Sequence, residues 1–479
     1  MIQVPQTLLL GPGPDPIDVV RSWPEHQPLA ALVSARGNSR FSRWSILAVP
    51  VGSKVCTGTG SALRDQLDAL AGETSLKPVD DPDIPPFRGG RMLMMRYELG
   101  RSLEPKAGVS GRQLPEAPVV HGLDCPTALV HDRESGHWWL VGDPGDSQGL
   151  RSHLDLPAPQ SQPLAIDPLQ QELSDAEYAR LVDRTVEYIE AGDLFQANIT
   201  RRFTTRARLI DRRSRRQLAA DLLRESGAWY GGLLELPERD GGQTIISLSP
   251  ELFLEFDPGT RRIRTRPIKG TLPAGADPEE LQRSDKDAAE LAMIMDLMRN
   301  DLGRVSIPGS VKVDVARSIE EHPGVIHGVG EVSGILRNEI RMGGLLTATF
   351  PPGSITGAPK IRAMQVIDEF ERGPRGAYCG AIGYSSRCGR LALDVSIRTV
   401  ELTPLPEQDV QEATHELNYG AGCGIVAQSS PESEVEESWT KTALLARFIA
   451  DRCHPLERPT AAVQSDESPE PGDRSCASR

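Results

Sequence analysis

The chain changes character at Ser174, and that change limits the folds open to it. Before it, residues 1 to about 165 are rich in proline and glycine, with short apolar runs at 29–33, 44–49 and 138–141. Runs punctuated in this way predict strands with irregular connections. Stretches 79–90 and 155–168 read as proline-rich connectors. From Ser174 onward, longer amphipathic helices enter. Ser174 and Glu177 form a capping box; Tyr178, Leu181, Val182, Val186 and Ile189 keep one stripe, and Gly192 stops it. A strand is predicted over 194–200, with others at 243–248, 251–256 and 261–266. Ser284 caps a second helix, with Leu291, Met295, Met298 and Leu302 turned inward. Leu391, Leu393, Val395 and Ile397 alternate with polar residues, which predicts a strand with one polar face. Ser433 is expected to cap a last helix, anchored by Leu444, Leu445 and Phe448. The tail 453–479, rich in Pro, Ser, Glu and Asp, is expected to be disordered.

With 479 residues the chain exceeds one ordinary core, so two or three substructures, or one large one, are expected. No apolar run approaches the roughly 18 residues that span a bilayer. The start, Met1-Ile2-Gln3-Val4-Pro5, has no basic segment of a secretory signal, so a cytoplasmic protein is expected. Seven scattered cysteines without a CxxC pair point to reduced thiols rather than disulfides or structural zinc. A net charge of −14 disfavours nucleic acid, which is held by phosphate neutralisation. The eight arginines of 201–216 read as a solvated strand and turn face, because no aromatics interleave them.

Chemistry is concentrated in a few stretches. Arg266-Pro267-Ile268-Lys269-Gly270-Thr271 holds one lysine between a proline that fixes φ and a glycine that permits a sharp bend or close approach. A lysine there is a nucleophile if its surroundings free the amine, and otherwise a solvated strand end. Asp287 and Glu290, and again Glu434 and Glu437, lie three apart, so each pair shares one helix face. The loop Gly353-Ser354-Ile355-Thr356-Gly357-Ala358-Pro359-Lys360 fails the P-loop pattern, leaving only glycines before a helix N-terminus, an anion site at most. Gly420-Ala421-Gly422-Cys423-Gly424-Ile425 fails GxGxxG. Nucleotide binding is rejected for both.

From about 174 to 450 the chain resembles the chorismate-utilising enzymes, the family of the anthranilate synthase and aminodeoxychorismate synthase large components. The resemblance rests on ordered blocks: Gly192-Asp193-Leu194-Phe195-Gln196, Ser249-Pro250-Glu251, the run from Asp296 to Arg304, the Gly353 loop, Arg398-Thr399, and Gly422-Cys423-Gly424-Ile425 followed by Pro431, Glu434 and Glu437. It implies an α+β fold, with two large antiparallel sheets in a β-sandwich and flanking helices. It implies an anthranilate synthase component I-like region over 1–165 and a chorismate-binding catalytic domain over 170–452. Glu290 and Glu437 match the family's magnesium ligands, with Asp287 and Glu434 behind them. Tyr378 and Arg398 match the residues that hold the enolpyruvyl carboxylate, and the amides of a Gly422–Gly424 turn would add donors. Ser354 and His327 match positions near the substrate, and Glu251 the general acid/base. Ser34, Phe41, Ser42, Arg43 and Trp44 match positions around a tryptophan pocket, although the prolines usual near Ala228-Trp229-Tyr230 are missing.

The residue before Gly270 sorts the family's reactions. Aminodeoxychorismate synthases resemble this chain in having lysine there, whereas anthranilate and isochorismate-type enzymes have alanine. Lys269 therefore implies covalent attack on the ring, with ammonia from a separate glutaminase subunit, since no span is left over for that domain. The alternatives are an anthranilate synthase, an isochorismate-type enzyme, or a non-enzymatic tryptophan-binding regulator. Retention of Glu251, Lys269, Glu290, Arg398 and Glu437 together argues against the regulator.

Overall fold

In the computed structural model, residues 6–456 are described except 38–39, 73–74, 79–80, 114–116, 144–146, 274, 323–324 and 407–412. Their strands form two large sheets. The larger has fourteen strands and runs from Gln6–Pro12, through Trp44–Ala48, Tyr230–Glu235 and Thr244–Ser249, to His415–Ile425 and Gln196–Arg208. The ten-stranded sheet runs from Ile268–Pro273, through Arg262–Arg266, Leu252–Asp257 and Leu391–Asp394, to Gly90–Met95 and Gly52–Cys56. Pairing is antiparallel apart from the short contact of Cys453–His454 with Leu164–Ile166. Strands from before residue 165 and after residue 170 sit in both sheets. The remaining tail, from 457, lies outside the described residues, as do Met1 to Pro5 and Cys476.

Strand periodicity explains the layering. Successive side chains point to opposite faces, so a sheet buried on both sides is apolar at every position. In Gly90–Met95, Met92 and Met94 join a core shared with Ile46, Ala48 and Leu234 of the other sheet. Leu93 and Met95 face the opposite way, into a core with Leu63, Leu67, Leu345 and Leu346 of helices Gly60–Ala71 and Met342–Thr349. A third core joins the outer face of the larger sheet to Leu218, Leu222 and Leu445 of helices Arg212–Ser226 and Pro431–Arg452. The result is the expected sandwich with helices outside it.

The capping signals fall close to where they are predicted. Ser174 and Glu177 make a reciprocal capping box on Asp175–Glu190, and Ser284 caps Asp285–Gly303. Four details differ. The last helix begins at Pro431 with Ser430 as its cap, so Ser433 lies one turn inside. The strand from Leu391 stops at Asp394; the Ile397 N–H then bonds the Val395 carbonyl in a tight turn, and Arg398 beyond it takes a positive φ of 52°. Gly422 and Gly424 lie inside strand His415–Ile425, opposite Thr200 and Asn198, and form no turn; Thr200 and Asn198 spend their N–H groups on Glu371 and Thr356, so the two glycine amides face away from that neighbouring strand. The arginine-rich stretch is not wholly solvated. Arg216 is fully buried against Glu235 at 2.8 Å, and Arg201 is buried among the rings of Tyr178, Phe203 and Trp439. Those aromatics are remote in sequence, or too sparse in the segment itself, to read as partners.

Candidate active site

Lys269 owes its direction to a bulge. Strand Ile268–Pro273 pairs with Val325–Ile335, Lys269 opposite Gly328, and the register slips between Lys269 and Thr271. The extra residue is Gly270, at φ +79°. A bulge bends its strand and re-aims neighbouring side chains. A Cβ on Gly270 would also lie 2.5 Å from Leu281 Cδ1 and 3.0 Å from Asp287 Cγ, so glycine is required twice over. The helix that crowds Gly270 carries Glu290, and Lys269 Nζ lies 3.5 Å from Glu290 Oε2. Asp287 thus packs against Gly270.

Helix Pro431–Arg452 brings further carboxylates. Glu434 is buried and accepts from Ser429 Oγ at 2.6 Å; burial and the charge of Glu437 raise its pKa. Desolvation pulls Glu437 upward too, but Lys441, Lys269 and Lys286 outweigh it and hold that carboxyl below its ordinary value. Lys286 Nζ stands 4.0 Å from Glu290 Oε1. The three glutamates therefore share the fields of the same lysines, although they come from two helices.

Glu251 faces the same lysine from the ten-stranded sheet. It is 4% exposed and accepts from Ser354 Oγ at 2.7 Å. Burial raises its pKa to about 7, against the Ser354 bond, the charge of Lys269 and the Ile268 N–H, while Asp394 adds to the rise. Such a group can hold a proton at neutral pH and release it.

The floor is strand His415–Ile425. Gly420, Gly422 and Gly424 share one face by the period of two. A Cβ on Gly420 would meet the Tyr378 ring at 2.2 Å, and one on Gly424 would meet Lys269 Nζ at 2.7 Å. At Gly422 it would meet Thr200 Cγ2 at 2.4 Å. Arg398 lies by Tyr419 of the same strand; burial lowers its pKa, and no carboxylate among the described residues pairs with it. Burial holds the Tyr378 hydroxyl protonated. His327 is buried across the sheet from Thr271, Nδ1 at 2.9 Å from its Oγ1.

Two neighbours of the site escaped the sequence reading. Gln196 is fully buried, and neither atom of its amide has a hydrogen-bond partner among the described residues. Its Nε2 lies 2.8 Å from the Cβ position over Gly424, beside Lys269 Nζ. In the sequence it only closed the Gly192–Gln196 block, with no role assigned to it. Lys441 Nζ bonds Glu437 and the Gly422 carbonyl, each at 2.7 Å. The Glu-to-Lys spacing of four was legible, but such pairs are usually solvated. The Gly353 loop binds no anion through Lys360, whose Nζ is spent on Asp301 at 2.6 Å and on the carbonyls of Thr349 and Pro351.

Ser34, Phe41, Arg43 and Trp44 line a separate cavity of about 260 Å³ between the sheets, with Trp229 and Asp394 on its wall. Ser42 is turned away from it, against Gly37.

A buried acid, a lysine and carboxylates on two helices, set over a glycine floor between two antiparallel sheets, define an enzyme. The chain belongs to the chorismate binding enzyme family, whose model matches residues 36–447. It is 36% identical over 403 residues to aminodeoxychorismate synthase component 1 of Salmonella typhimurium, covering 82% of each chain. It is 32% identical over 474 residues to anthranilate synthase component 1 of Thermus thermophilus, covering 91% of this chain and 95% of that one. The solved anthranilate synthase component I of Streptococcus pneumoniae superposes with a TM-score of 0.68 at 27% identity, over 84% of this chain and 92% of that one. No helix among the described residues is long and apolar enough to cross a membrane.

Proposed function

We propose that this enzyme converts chorismate and ammonia to 4-amino-4-deoxychorismate and water, the step that leads toward p-aminobenzoate and folate. Overall identity does not choose between the two activities named among the relatives, because both lie in the same range. The observation that carries the choice is Lys269, with its Nζ against Gly424, 3.5 Å from Glu290 and within the field of Glu251.

The Lys269 amine, once unprotonated, forms a bond to ring C2. The ring electrons shift and the C4 hydroxyl departs, taking the proton of Glu251 and leaving as water. Ammonia then bonds to C4 and gives its extra proton to the Glu251 carboxylate, which restores the acid. The electrons shift back, the C2–nitrogen bond breaks, and Lys269 returns. Ammonia attack at C2 is excluded while lysine occupies that carbon, so the nucleophile sets the regiochemistry.

Arg398 and Tyr378 are assigned to the enolpyruvyl carboxylate; a half-buried guanidinium with no carboxylate partner among the described residues suits such a clamp. Ser354 holds Glu251, and His327 supports Thr271 on the lysine's own strand. Glu290 and Glu437 would hold Mg²⁺; Glu434 and Glu437 bring ligand atoms within 4.8 Å of each other, with Cys423 Sγ in the same group, and the carboxylate oxygens are the ligands that suit that hard cation. When bound, it supplies positive charge opposite the ring carboxylate. Ammonia is assigned to a separate glutaminase subunit in the cytoplasm, and the cavity at Phe41 and Trp44 to tryptophan.

The test is to incubate the chain with chorismate, Mg²⁺ and an ammonium salt and to identify the product. The expected product is 4-amino-4-deoxychorismate; anthranilate or isochorismate alone would refute the assignment.

A further inference from the structure

The geometry points to Arg375 as a positioning residue that sets Glu251 against Lys269 without touching either. This rests on the reading of Glu251 as the acid.

The Arg375 side chain is 2% exposed, and its guanidinium lies 4.4 Å over the Tyr97 ring. Its donors reach three partners. Nη1 donates to the Ile355 carbonyl at 2.9 Å, and Nη2 to the Asn198 carbonyl at 2.6 Å. Nε and Nη2 also hold Glu371, at 2.9 and 2.6 Å. Glu371 in turn accepts from the Thr200 amide at 3.2 Å and its hydroxyl at 2.7 Å.

Each carbonyl is one step from the chemistry. Ile355 follows Ser354, the donor to Glu251. Asn198 stands opposite Gly424, on which Lys269 Nζ rests, and two residues from Gln196. The Ser354 turn and the Gln196–Arg208 strand are thus tied through one rigid fork. A lysine would keep the charge against Glu371 but not the planar spacing that reaches both carbonyls. A shift of the turn by ~1 Å would loosen the Ser354 bond and move the acid off line, a displacement that costs about a hundredfold in rate in well-ordered sites.

The test is a double-mutant cycle on the full chain with chorismate, Mg²⁺ and ammonium chloride. Arg375→Lys should lower kcat by about tenfold or more, while KM for chorismate stays within about twofold. Ser354→Ala should also lower kcat, and Arg375→Lys with Ser354→Ala together should be within about twofold of Ser354→Ala alone, because both act through one bond. If Arg375→Lys does not yield folded protein, Glu371→Gln replaces it in the same cycle with the same expectation. Independent, multiplying losses would overturn the inference and leave Arg375 as packing. Glu251→Gln separates the two failures: full activity in that variant would sink the acid reading, and this inference with it.

Discussion

Ser354 Oγ donates to Glu251 Oε1 at 2.7 Å, and both side chains are buried. The bond pulls the Glu251 pKa down, while burial lifts it to about 7. As a general acid, Glu251 works protonated, so turnover should fall as pH rises through about 7. Ser354→Ala removes a downward pull and should move that limb to higher pH. Glu251→Gln should abolish the limb along with most of kcat. A limb that persists in Glu251→Gln belongs to another group.

The same shift has a consequence for stability. The folded pKa of Glu251 is raised, so between about pH 4, where the unfolded chain loses this proton, and about pH 7 the folded state becomes progressively less favoured. Several buried histidines titrate in the opposite sense, their pKa values depressed by burial to about 4. The difference between wild type and Glu251→Gln cancels them. Relative to wild type, the variant should gain melting temperature between pH 5 and pH 8; a constant difference would show that Glu251 has no raised pKa.

Gly424→Ala should separate folding from function. The strand tolerates alanine, but the new Cβ would stand 2.7 Å from Lys269 Nζ and 2.8 Å from Gln196 Nε2. The expected outcome is a near-normal melting temperature with kcat reduced by about a hundredfold. Gly270→Ala should do worse, because positive φ and crowding by the Leu281 and Asp287 side chains combine; about 1–3 kcal/mol of stability should be lost in urea titration.

Chelation should stop turnover and Mg²⁺ restore it. Glu290→Gln and Glu437→Gln should each raise the Mg²⁺ concentration needed for half-maximal rate by about tenfold or more. Unchanged Mg²⁺ dependence in both would remove those residues from the metal site.

Much of this was legible in the sequence, for reasons specific to each residue. Ser174 and Ser284 declare helix starts through a local hydrogen bond, so three residues suffice to read them. Lys269, Glu290 and Glu437 were legible as motif positions, but their meeting is a tertiary fact: a bulge at Gly270 aims the lysine across to a helix. Gln196 was legible only as a motif position without a role, and Arg375 carries no local signal. One is an amide with unmet polar atoms, the other a cation whose partners lie at 198, 355 and 371. The supposed Gly422–Gly424 turn shows the converse error. Glycine there serves close approach by Lys269 and Thr200, not chain reversal.

The most direct measurement is product analysis of Lys269→Ala with chorismate, Mg²⁺ and ammonium salt, by chromatography and mass. Loss of 4-amino-4-deoxychorismate, with any residual chemistry diverted to C2, is what a covalent lysine requires. The same product at the wild-type rate would contradict it.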